Sequence, residues 1–197
     1  HSEDAICHYT AAQIGWGLDQ PPTASITSPL SGEVVSGIVT IEMSGTDDDG
    51  ISRVEFYVNA GLEETDTTAP YQFNWDTSSF YNGDHNIRAV VYDSILQTGE
   101  DSISLVILPR APLNFSYEKE ENKSLLLREY INILTWEAHP LNGVVKYRIY
   151  QVEDSSQSLL GEVNVPYTEY LHRNVDEDKE YTYALVAVDA QGREGEA

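Results

Sequence analysis

The sequence holds a single cysteine, a single methionine and only 11 basic residues among 197. Each scarcity excludes something. Cys7 stands alone, so no intrachain disulfide and no zinc site of the multi-cysteine type can form. Eleven lysines and arginines face 33 acidic residues, for a formal charge of -22. So acidic a chain repels phosphate backbones and anionic headgroups, which excludes nucleic acid and an anionic membrane as partners. No apolar run reaches the roughly 18 residues of a membrane-spanning helix, which excludes membrane insertion, and no signal peptide heads the sequence. A removed targeting segment and synthesis without one both fit.

What is present points to β-structure. The apolar fraction is 41%, enough for packed cores, and 13 tyrosines favour strands over helix bundles. The length suits two domains of about 90 residues. A short leader, 1–22, ends in Pro21-Pro22. Residues 23–108 carry 2 basic and 14 acidic residues. The prolines of Pro109–Pro112 fix φ and stiffen a linker, and 113–197 form a second strand-rich block. In the first block, alternating apolar positions predict strands at Ala24–Ile26, Ile38–Met43, Val54–Val58, Tyr71–Trp75, Ile87–Val91 and Ile103–Ile107. A polar strand near Glu63–Thr67 makes seven. The expected fold class is all-β: two tandem sandwiches after a short leader.

The stretches "ASITSPLSGEVVSGIVTI", "DDDGISRVEFYV" and "TDTTAPYQFNWDTSSFYNGDHNIRAVVYD" resemble bacterial immunoglobulin-like domains of secreted and surface proteins. "DSILQTGE" from Asp93 departs from the Gly-Asn turn such domains carry there. The second block resembles a fibronectin type III domain. Trp136 in "INILTWEA" matches the buried strand-B tryptophan, and "VVKYRIYQV" matches strand C with Tyr147 and Ile149 inward. Tyr181 in "EYTYALVAVDAQGREG" holds the tyrosine-corner position. These resemblances imply an extracellular or cell-surface location in a prokaryote. In the leader, "HYTAAQIGWGLD" resembles the last helix of a subtilisin-like peptidase domain, which implies a longer precursor.

No catalytic arrangement stands out, and no enzyme is expected. His1, His8, His85, His139 and His172 are scattered, and no G-x-S-x-G elbow occurs. Cys7-His8 ends a haem-attachment pattern whose first cysteine is replaced by Asp4. A leader helix over Glu3–Gln13, capped by Ser2, explains the same residues. The sharpest cluster is Asp47-Asp48-Asp49-Gly50, expected on a loop beside the one beginning at Asp93. Asp47, Asp48, Asp49 and Asp93 are therefore the candidate calcium ligands, the one cofactor in view, because calcium takes six to eight oxygens. A solvated turn, where Asp bonds its own backbone, accounts for the run without a metal. Tyr150, Tyr167 and Tyr170 are the tyrosines expected outside the cores, where sugars stack on aromatic faces.

The second block carries one more expectation. Past Gly195 only Glu196 and Ala197 follow, so a full final strand is missing beside the strand of Tyr181, Tyr183 and Leu185. Such an edge accepts a strand from another chain. Ile14, Trp16 and Leu18 fall two apart, so an extended leader would present all three on one face. Head-to-tail donation then gives an open filament. Truncation, with the last strand beyond Ala197, fits too. The functional expectation is a non-catalytic filament or adhesin subunit, meeting other copies of itself or a protein or glycan surface. Its alternative is the accessory region of a secreted hydrolase.

Overall fold

The computed structural model describes residues 19–123, 128–141, 143–154 and 156–197. The donor residues Ile14, Trp16 and Leu18, the Cys7-His8 pair and the expected leader helix lie outside the described residues. Among those described, the chain is built of thirteen β-strands and contains no α-helix. It divides into two compact units. One takes the described residues up to Ser31 with Thr40–Trp75 and Asn86–Ser104; the other takes Gly32–Val39, Asp76–His85 and Leu105–Ala197.

All seven strands expected in the first block form. They are β1 (Thr23–Ser28), β2 (Ile38–Thr46), β3 (Ile51–Val58), β4 (Gly61–Asp66), β5 (Gln72–Asp76), β6 (Gly83–Asp93) and β7 (Thr98–Ile107). They make two sheets, ordered β1-β2-β5 and β4-β3-β6-β7. Alternation explains both faces: Val54, Phe56 and Val58 of β3 and Ile87, Ala89 and Val91 of β6 are buried, while most of their neighbours are half or fully exposed. Ile41, Met43, Phe73 and Trp75 supply buried residues from the other sheet, and the Phe56 and Phe73 rings stack at 5.9 Å. Gly99 on β7 admits a close approach, for a Cβ there would collide with the Pro22 carbonyl. That contact holds the segment leading into β1 against β7.

The second block forms β8 (Leu113–Lys123), β9 (Arg128–Glu137), β10 (Val144–Glu153), β11 (Ser156–Asn164), β12 (Glu169–Arg173) and β13 (Thr182–Asp189). Its sheets are β12-β9-β8 and β11-β10-β13. Leu134, Trp136, Tyr147, Ile149, Leu185 and Ala187 form one buried cluster, with Trp136 and Tyr147 edge to face at 5.2 Å. The Tyr181 hydroxyl accepts the Asp176 N–H at 3.0 Å, which is the tyrosine corner expected from the sequence.

The free flank of β13 is partly paired. Val188 bridges Glu194, and the Gly195 N–H donates to the Ala187 carbonyl at 3.0 Å. Tyr183 is half-buried and Leu185 fully so, both beside that flank. The tyrosines expected outside the cores divide. Tyr167 is 72% exposed, whereas Tyr150 and Tyr170 are half-buried because their hydroxyls bond Glu194 and the Leu160 carbonyl.

Candidate functional site

Three carboxylates converge at one end of the first sandwich. Asp47 lies on the loop between β2 and β3, Asp93 ends β6, and Asp19 precedes the two prolines that lead into β1. Each offers one oxygen, and these oxygens lie within 4.8 Å of one another. Two of the four expected residues thus meet, Asp47 and Asp93. Asp48 and Asp49 stay exposed outside the trio. Asp48 accepts the Gln20 N–H at 3.5 Å, and the Asp49 N–H donates to Asp47 Oδ2 at 3.1 Å.

Local backbone chemistry places Asp93. It is fully buried, and its Oδ1 accepts the N–H groups of Ile95 at 2.9 Å and Gln97 at 2.8 Å. Its own N–H donates to the Gln97 carbonyl at 3.2 Å, and Leu96 takes φ 71° to close the turn. "DSILQ" therefore folds as a tight turn with leucine at a position that ordinarily takes glycine. The Gln97 side chain reaches the other way and donates through Nε2 to Asp19 Oδ2 at 2.6 Å.

That leaves one oxygen on each carboxylate. Asp19 Oδ1, Asp47 Oδ1 and Asp93 Oδ2 are buried and without a hydrogen-bond partner. Buried carboxylate oxygens are costly to leave unmet. Burial pushes the Asp19 carboxyl above its ordinary value; the Gln97 amide opposes that, and the charges of Asp48, Asp93 and Asp49 add to it. Asp19 escaped the sequence reading because it sits in the leader, 28 residues before Asp47. Its signal was an Asp just ahead of Pro21-Pro22, meaningful only once β1 is laid beside β2.

The trio offers hard oxygen ligands and nothing nucleophilic. The described histidines serve local structure. His85 Nε2 lies 2.9 Å from the Tyr81 carbonyl, His139 Nδ1 accepts the Leu141 N–H, and His172 Nδ1 lies 2.8 Å from the Tyr183 hydroxyl.

Against known proteins, the first sandwich matches a family model described as a bacterial Ig domain. The match covers residues 22–89. The bacterial Ig domain match therefore takes in Asp47 and leaves Asp19 and Asp93 outside its bounds. Over both sandwiches, the chain is similar to a two-domain fibronectin type III segment of chicken tenascin. The TM-score is 0.53 at 12% identity, over 90% of this chain and 95% of that one, which establishes a shared fold. A fibronectin(III)-like module structure of Clostridium thermocellum CbhA aligns at 27% identity and TM-score 0.40, over 43% of this chain and 94% of that one. An endo-beta-1,4-mannanase from Thermotoga petrophila aligns at 18% identity and TM-score 0.40, over 50% of this chain and 22% of that one. No curated protein matches. Among the described residues, no helix is long and apolar enough to cross a membrane.

Proposed function

We propose that the chain is a non-catalytic spacer and interaction region of a bacterial protein exposed outside the cell. The match of residues 22–89 to a bacterial Ig domain carries this reading. Two tandem sandwiches of this kind suit presentation and contact. Surface labelling tests the location. In the bacterium that encodes it, the chain should react with a membrane-impermeant biotin reagent on intact cells, or be recovered from the medium. Recovery only after lysis would overturn the reading.

A second reading, strand exchange between copies in a surface filament, is favoured by one feature. Tyr183 and Leu185 border a cavity of about 220 Å³ shared with Ala111, Pro112 and Phe115, beside the stretch of β13 that lies beyond the pairing at Ala187–Asp189. An extended strand with alternating apolar residues fits that flank. Sedimentation of the whole chain separates the readings. Concentration-dependent polymers support exchange, and a stable monomer leaves the spacer role.

A further inference from the structure

We propose that the first sandwich binds one calcium ion between Asp19, Asp47 and Asp93. Two observations carry this independently of the acidic composition. The first is the fully buried Asp93, a member of the trio whose Oδ2 has no hydrogen-bond partner. None of the three carboxylates forms an ion pair among the described residues, although twelve such pairs occur elsewhere.

The second observation is an internal control. The turn after β13 repeats the turn after β6. Asp189 Oδ1 accepts the N–H groups of Gln191 and Arg193, both at 2.9 Å, and the Asp189 N–H donates to the Arg193 carbonyl at 3.1 Å. Asp93 makes the same three bonds with Ile95 and Gln97. Two residues after Arg193, Gly195 packs against the Pro109 carbonyl, as Gly99 packs against that of Pro22. The two turns part in what meets the second oxygen of the aspartate. Arg193 Nε donates to Asp189 Oδ2 at 2.6 Å, supplying a cation to the buried carboxylate. Gln97 stands at the matching place and carries no charge. In the second turn the cation is part of the chain; in the first it must come from solution.

The donor set selects the ion. Three carboxylates, with no imidazole or thiolate among them, suit a hard cation. Opposed ligands of calcium stand up to about 5 Å apart, given Ca–O distances of about 2.3–2.6 Å, and the three oxygens, all within 4.8 Å of one another, lie inside that span. Three protein oxygens leave room for water to complete the shell. Bound there, calcium would fasten the segment at Asp19 to the loops at Asp47 and Asp93.

Thermal melts and calorimetric titration of the whole chain with calcium chloride test this. Expected are one calcium per chain and a midpoint about 5 °C or more higher in millimolar calcium than in chelator. Asp93→Asn should abolish both. Gln97→Arg provides a second arm that leaves Asp93 and its turn bonds in place. It places a guanidinium where the second turn has one, so it should melt higher in chelator and no longer respond to calcium. Absence of binding heat with the wild-type chain would overturn the proposal, as would an undiminished response in Gln97→Arg. An equal response to magnesium would overturn the assignment to calcium.

Discussion

Leu96 and Gly192 hold the same left-handed position in the same turn, with φ of 71° and 81°. Each stands three residues after the aspartate that anchors its turn, Asp93 or Asp189. Glycine adopts this conformation freely, whereas a Cβ-bearing residue is strained there. Leu96 is also 66% exposed, so its side chain returns little burial. Leu96→Gly should therefore stabilise the first sandwich by about 1 kcal/mol, less the entropy glycine adds to the unfolded chain. Chemical denaturation of the paired variants measures it, and a loss of stability would refute the strain argument.

Arg193→Gln should do the reverse in the second unit. It leaves the buried Asp189, 3% exposed, without the cation that meets its Oδ2. Breaking a buried pair from one side costs about 3 kcal/mol or more, reduced here because the arginine side chain is 23% exposed. A destabilisation of about 2 kcal/mol is expected in urea melts. A neutral result would mean that the turn's backbone bonds alone hold Asp189.

The second unit should also lose stability in mild acid. Asn132 Nδ2 donates to the Tyr183 hydroxyl at 2.6 Å, and that hydroxyl lies 2.8 Å from His172 Nδ1. Burial, with a smaller contribution from Lys179, holds His172 below its ordinary value of 6.5. The unfolded chain then binds the proton more readily than the folded one. Stability is full above about pH 7 and falls as pH drops from 6.5 towards the lowered folded value. His172→Gln keeps an acceptor for Tyr183 and removes the titration. Its melting temperature should vary less between pH 7 and 5 than that of the parent chain.

Tyr181→Phe removes the hydroxyl that accepts the Asp176 N–H and keeps the ring that stacks on Tyr183 at 6.2 Å. The expected cost is about 1 kcal/mol, the usual worth of one hydrogen bond. Equilibrium unfolding checks it. An unchanged midpoint would show that water replaces the hydroxyl without loss.

Period-two alternation was legible along the chain because each strand buries one face only. Val54, Phe56 and Val58 announce their strand before any partner is known, and so do Ile87, Ala89 and Val91. Boundaries were shorter in the sequence than in the structure. β6 runs from Gly83 and β7 from Thr98, where polar residues extend the ladders beyond the apolar core. Backbone pairing does not depend on side-chain polarity, so those ends carried no signal.

The carboxylate site divides in the same way. Asp47 and Asp93 were visible because turn aspartates bond their own backbone, a local matter of two to four residues. Asp19 was invisible because contacts far apart in the chain, the β1–β2 pairing and the packing of Gly99 against Pro22 among them, bring the leader to these loops. The sequence by itself determined two blocks of alternating strands, the tyrosine corner and the acidic turns, since each rests on contacts along one strand or within one turn. The tertiary structure alone decided which oxygens meet and which are left without a partner. That outcome depends on the register of strands far apart in the chain, and on a single choice between Gln97 and Arg193 whose meaning appears only when the two turns are compared.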